Sequence, residues 1–375
     1  MARRLTRRDF LRHTTAFGAA ACAALPGCSD RPSGGGDFRG HELRIFVYAG
    51  GHEKTMREVF VPRFEEQTGA TAVLDPGWWD AIPKLKASPA DQPPYDLVVT
   101  DATQGFPAAR EGLFRQLDLA HIPNHKNLTP SVLNHWVFRD RYGITFPDSV
   151  MTLAYHKDVV APPPAGWADL LRDDLRGRLG LYSSFYMSLY TFACMKVAAE
   201  GRAGTAHAVV RDDLDGVLRF ARENRGRVKV WWPTSSDMTL ALVQRDCAAG
   251  NMHSPEMLQA LRAEPKLAAV VPEADRAFVQ VFWAVPQGTR RADLAEKAID
   301  LIFSEEMQAG FARHGSATAV LPAAQTVAAE DPLWKQLYPH TPEQFRDLHY
   351  YPYDVYADHW DEIEKVWTSE VLRHG

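Results

Sequence analysis

The chain has 375 residues, 46% of them hydrophobic and 24% charged, and its 42 basic against 47 acidic residues give a net charge of −5. This balance supplies no basic stripe, so a nucleic-acid partner is not expected. The length allows two lobes with ample cores, and beyond the N-terminus no run of eighteen uninterrupted apolar residues suggests a membrane-spanning helix.

In chain order, "RRLTRRDFLRHTTAFGAAACAALPGC" comes first, with Arg7 and Arg8 ahead of an apolar run too short to span a bilayer. Residues 1–27 therefore read as an export signal. "TRRDFL" looks like a twin-arginine signal and "LPGC" like a lipobox, which would make Cys28 the acylated residue. Lipid at Cys28 contributes about 0.8 kcal/mol per buried CH₂ and would anchor the protein at a membrane, in the periplasm or on the cell surface. Removal of residues 1–27 leaves 37 basic and 46 acidic residues, a net charge of −9. Cys22 goes with the signal, and Cys194 and Cys247 remain as a disulfide or as two buried thiols.

Residues 28–40, "CSDRPSGGGDFRG", form a tether too rich in Gly, Ser and Pro to build a core. Leu43 to Tyr48 alternates as a strand, and Met56, Val59, Phe60 and Phe64 share one face of a helix over 53–68, which Pro62 should kink and Gly69 should end. Between them, "YAGGHE" is a turn. A strand over 70–74, a short helix around Ile82 to Lys86 and the buried strand "YDLVVTDA", ending at Asp101, complete a β-α-β-α-β run that predicts a parallel sheet. A second alternation follows, with strand 178–182, helices 185–200 and 206–225 and the strand "VKVWW".

The stretches "LRIFVYAGGHEKTMREVFVPRFEEQTGATAVL", "YDLVVTDATQGFPAAREGLFRQLDL", "YGITFPDSVMTLAYHKDVV" and "FWAVPQGTRRADLAEKAIDLIFSEEMQAGFARHGSATAVLP" resemble the extracellular solute-binding proteins of ABC importers. The resemblance is nearest to the group of spermidine/putrescine-binding and ferric-ion-binding proteins. It implies an α/β, type 2 periplasmic-binding-protein fold, with lobe I over 41–146 plus 278–312 and lobe II over 147–277 plus 313–375. A hinge joins the lobes, and the ligand cleft lies between them at the C-terminal ends of the strands. It also implies a monomer that binds a small charged solute and delivers it to ABC permease subunits.

In that frame, candidate contacts to the ligand are Tyr48, Gly51, His52, Trp78, Asp101, Thr103, Ser183, Tyr186, Trp232, Asp237, His253 and Gln280. His52 and Asp101 fall on metal-ligand positions of the ferric-ion binders, and with His253 they make a candidate metal set. The tyrosine pair of those binders is replaced here by "GNMHS", so two histidines and a carboxylate favour a divalent ion over iron. The polyamine binders' carboxylates are replaced by Ser183, Ser184, Met187, Gln280 and Val281, which leaves Asp101, Asp148 or Asp237 to hold an ammonium group and Tyr48, Trp78, Trp79, Tyr186, Trp231 and Trp232 as aromatic walls. "YSSF" and "TSSDM" before helices admit an anion. The structural readings stand beside these: His52 as a cap, His253 as a loop histidine, Trp231 and Trp232 as core, and "LHYYPYDVYADHWDEIEKVW" as helix packing on lobe II.

No Gly-x-Gly-x-x-Gly, Gly-x-Ser-x-Gly, His-Glu-x-x-His or Cys-x-x-Cys pattern occurs. The expectation is therefore a binding protein and not an enzyme, with no cofactor beyond a possible bound metal ion. An exported lipoprotein enzyme and a ligand-sensing receptor are the competing classes. A cation held by Asp101 should bind almost unchanged down to about pH 5 if that carboxylate titrates near its ordinary value of about 4.

Overall fold

The computed structural model describes residues 38–346 and 348–372. The expected signal, Cys28 and nearly all of the tether lie outside the described residues. Strand β1 (Glu42–Tyr48) buries Leu43, Ile45, Phe46 and Val47, since it runs between β2 (Thr71–Gly77) and β3 (Leu97–Asp101) and pairs in parallel with both. Gly50, at φ 86°, makes the turn out of β1, a conformation that suits glycine. The helical stretch that follows covers Gly51–Thr68 in three consecutive segments. A π-type turn over Met56–Phe60 widens it first, and Pro62 then sits at the start of the next regular segment, where its missing N–H is not needed.

The remaining strands are β4 (Ile144–His156), β5 (Leu179–Tyr182), β6 (Val228–Trp232), β7 (Ala249–His253), β8 (Leu267–Val270) and β9 (Phe278–Ala284). They complete one sheet of order β2-β1-β3-β9-β4-β7-β5-β6, with β8 on β4. β4 connects the two halves. Its first residues, Ile144–Pro147, pair with β9; after an irregularity between Pro147 and Val150, Met151–Tyr155 pair with β7 and Leu153–His156 with β8. Each half is thus a parallel α/β unit finished by antiparallel strands, the two-lobed periplasmic-binding architecture.

Helix Phe185–Ala199 is buried nearly all round, so it forms the core of the second lobe. The single helix expected over 206–225 is two, Ala206–Asp212 and Leu214–Asn224. The break falls at Asp213, whose carboxylate accepts the Gly216 N–H as an N-cap. Cys194 and Cys247 are both free and buried, which resolves their pairing in favour of two thiols. No helix among the described residues is long and apolar enough to cross a membrane.

The C-terminal stretch packs on the second lobe, where Trp367 Nε1 donates to Ser183 O, and it also reaches the first. β3 stops at Asp101, opposite Val281, so β9 has no strand partner on that side before Val281. The C-terminal segment occupies this edge. The Phe278 N–H donates to His349 O, the Tyr351 N–H donates to Phe278 O, and Tyr353 Oη accepts the Gln280 N–H at 2.5 Å. Helix Tyr353–Asp358 then packs on helix Ala102–Arg110 of the first lobe. Unpaired sheet edges inside a protein must be satisfied, and this segment does so.

Candidate ligand-binding site

Asp101 ends β3 and begins helix Ala102–Arg110, and this strand-to-helix turn buries a carboxylate that is only 5% exposed. Its Oδ1 accepts the N–H groups of Thr103 at 2.7 Å and Gln104 at 3.3 Å. These bonds cap the helix but bring no positive charge. Burial pushes the Asp101 carboxyl up to about 6, with the two N–H groups pulling the other way. The buried polar and charged side chains of the described residues include no Lys or Arg. Two other buried acids are paired, Glu296 with His121 and Asp300 with Lys297. Among the described residues Asp101 forms no ion pair, and nor do Asp148 and Glu256, whose carboxyls burial also pushes up to about 6 and about 7.

The Tyr48, Tyr186 and Tyr353 phenols lie close enough to feel the charge of this carboxylate. Tyr48 stacks on Trp78 at 5.9 Å and meets the edge of His52 at 5.8 Å. Trp78 keeps 60% of its surface exposed, as a lid residue would. Burial first, and then the charges of Asp101 and Asp148, hold the Tyr48 phenol well above its ordinary value, so both acids lie near it. Trp79, also from the first lobe, rests on Tyr186 at 6.1 Å and on Trp360 at 5.9 Å. The lobes therefore touch at Trp79, and a separate small cavity beside His52, Asp148 and Trp283 has about 20 Å³, room for about one water.

His52 packs against Trp283, and its Nδ1 accepts the Tyr48 N–H at 3.2 Å. Gly51 is exposed beside it, with open space where a side chain would stand. A neutral imidazole that accepts at Nδ1 carries its proton on Nε2, which leaves no free nitrogen lone pair for a metal. His253 ends β7 in a different group, with Tyr182 at 5.7 Å, Trp232 at 6.4 Å and Ser149 Oγ at 3.5 Å. Burial lowers both histidines to about 4, so neither is charged near neutral pH. Among the described residues, no three His, Cys, Asp or Glu side chains converge as a metal site.

The other expected residues divide between the cleft and the scaffold. Thr103 is buried and contributes its N–H to Asp101. Tyr186 donates through Oη to Tyr353 Oη at 2.9 Å, directly beneath Trp79. Gln280 is 3% exposed, and its Nε2 has no hydrogen-bond partner. Ser183 serves the scaffold, its N–H donating to Trp232 O at 2.9 Å and its carbonyl accepting from Trp367 Nε1 at 2.8 Å. Trp232 is fully buried under Tyr182, 4.6 Å away. Asp237 is exposed and closes a capping box with Thr234, whose hydroxyl donates to it at 2.6 Å. The Thr234-x-x-Asp237 spacing is itself a sign of that role. Tyr353 carries no local signal of a cleft position, since only the C-terminal pairing with β9 brings it there.

The fold is that of a two-lobed solute-binding protein. The chain belongs to the bacterial extracellular solute-binding protein family, whose model matches residues 60–341. No curated protein matches it. Among solved structures it is similar to an ABC transporter protein from Clostridium perfringens, at 16% identity over 88% of this chain and 99% of the other, with a TM-score of 0.70. It is also similar to a spermidine/putrescine ABC transporter substrate-binding protein from Streptococcus pneumoniae, at 19% identity over 87% and 99%, TM-score 0.67. A third is the MotA protein of A. tumefaciens in complex with glucopine, at 14% identity over 88% and 100%, TM-score 0.71. These likenesses show the fold.

The raised Asp101 value changes the expected pH dependence. A bound cation requires the ionised carboxylate, so protons compete for it as the pH falls through about 6, not 4. Affinity for a cation is expected to be flat above pH 7 and about fourfold weaker at pH 5.5, where roughly a quarter of a group titrating at 6 is ionised. Calorimetry at pH 7.5 and 5.5 checks this; unchanged affinity at 5.5 would mean that Asp101 does not hold the charge.

Proposed function

We propose that this protein is the substrate-binding lipoprotein of an ABC transporter and that its solute is a small, polyamine-like organic cation delivered to the permease. The observation that carries this reading is Asp101, a buried carboxylate with no buried basic partner among the described residues, near Tyr48 and Tyr186, on which Trp78 and Trp79 rest. An unpaired buried charge is costly, and a ligand ammonium group would offset that cost. Aromatic faces add cation–π attraction of about 0.5–2 kcal/mol. The spermidine/putrescine system to which one structural neighbour belongs accords with a cationic solute.

A metal ion is the weaker reading, because His52 Nδ1 is occupied and His253 belongs to the Tyr182 and Trp232 group. An anion would meet a buried carboxylate and no buried cation. Binding would shift the lobes from open to closed, with ligand contacts on both. Micromolar affinity needs about 8 kcal/mol, within reach of one buried ion pair and several rings. Calorimetric titration with butylamine, 4-aminobutan-1-ol, 1,4-diaminobutane, zinc and phosphate tests the reading. At least one amine should bind in the micromolar range; binding of zinc or phosphate without any amine would refute it.

The anchor is a separate matter. Cys28→Ala should leave the protein folded but shift it from the membrane fraction to the released fraction. Equal membrane recovery of variant and wild type would remove the lipid anchor, and unimpaired export after Arg7→Lys with Arg8→Lys would remove the twin-arginine route.

A further inference from the structure

Between β2 and the helix Ala81–Ala87 the chain passes through a turn, Gly77–Asp80, that fixes two adjacent tryptophans. Asp80 Oδ1 accepts the Trp78 N–H at 3.0 Å, and Lys84 holds the same carboxylate at 2.6 Å. A side chain at Gly77 would meet that carboxylate and the Phe46 ring, so the turn is closely packed. Trp78 stays within the first lobe, stacked on Tyr48, whereas Trp79 crosses to Tyr186 and Trp360. Its seat belongs to the second lobe. Tyr186 lies in the first turn of the core helix there, Trp360 packs on Phe185 at 4.7 Å, and Arg211 holds Asp354 of the same C-terminal segment at 2.8 Å. Trp79 is 44% exposed and Trp360 is half-buried, so the contact lies at the protein surface and can part without disturbing either core.

We propose that Trp79 is a latch: seated on Tyr186 and Trp360, it favours the closed arrangement of the lobes and slows the exit of the solute. The proposal rests on the solute-binding reading above but not on the charge of the solute. Ring pairs at separations of 6.1 and 5.9 Å attract beyond the area that they bury, and parting the lobes would give up both contacts and wet the covered face of Trp79. Because the contact is between protein groups, the latch acts on the empty and the loaded protein alike. Removing it should therefore speed entry as well as exit, since both need the open lobes. A residue that only touched the solute would change exit alone.

Small-angle scattering of the unliganded mature protein reads the latch without any solute. Trp79→Ala and Trp360→Ala should each increase the radius of gyration over wild type, and the double variant should match Trp79→Ala, because both changes empty the same contact. With 1,4-diaminobutane as the probe, stopped-flow tryptophan fluorescence should show exit about tenfold faster in Trp79→Ala, with entry also faster, so that the dissociation constant rises by less than the exit rate. Trp79→Phe keeps a ring on the seat and should stay near wild type in both measurements; it keeps the test decisive if an alanine variant does not fold, which thermal melting identifies. Identical scattering curves for wild type, Trp79→Ala and Trp360→Ala would overturn the latch whatever the solute, and so would faster exit with unchanged entry. Failure of all three amines to bind would count against the cation reading, and the scattering comparison would still decide the latch.

Discussion

Asp101→Asn should weaken binding of whichever of the three amines wild type holds best by about 30-fold or more, because removing one partner of a buried, hydrogen-bonded charge pair costs about 2 kcal/mol or more. The fold should not suffer. Asparagine is as good an N-cap as aspartate, so its side-chain oxygen can keep the Thr103 and Gln104 N–H bonds. The substitution also removes an unpaired buried charge. The folded carboxyl holds its proton up to about pH 6, whereas in the unfolded chain it ionises from about 3.8. Above pH 6 the ionised group therefore weakens the unliganded fold, and that loss is recovered as the pH falls. Unliganded Asp101→Asn should accordingly melt at or above the wild-type temperature at pH 7.5. Calorimetry and thermal melting on one preparation read both effects. An affinity within threefold of wild type would move the counter-ion elsewhere.

Gly250→Ala should destabilise the protein by about 3 kcal/mol or more, or prevent folding. Gly180 of β5 and Gly250 of β7 are register partners in a parallel pair, and a methyl group on Gly250 would overlap the backbone carbonyl of Gly180. Backbone on both sides cannot rotate away as a side chain could. The pair also sets the register that brings Tyr182 and His253 together at the strand ends. Gly51→Ala is the control, since a methyl there meets nothing within 4 Å. Urea unfolding should separate the two variants clearly. Equal midpoints would mean that the β5–β7 register is wrong.

Much of this architecture is legible from alternation. The apolar run Leu97, Val98 and Val99 bounded by Asp101 gives both a buried strand and an acid at its C-terminal end. Local capping chemistry was equally readable at Thr234 and Asp237, where it argues for a helix start instead of a ligand contact. Tyr353 was not readable in this way. It reaches Asp101 only because β3 ends one residue before Gln280 and a segment 70 residues downstream fills the gap, a pairing with no local signature. The Asp101 pKa was hidden for a related reason, since it depends on burial by the folded chain. The two histidines had the right sequence context for metal ligands, but strand geometry puts one against Trp283 and the other against Tyr182.

Native mass spectrometry of the protein recovered from the compartment to which it is exported tests the central claim most directly. Wild type should retain one small organic amine per chain, release it on unfolding, and Asp101→Asn prepared in the same way should lack it. A retained metal ion or anion, or an amine retained equally by Asp101→Asn, would contradict it.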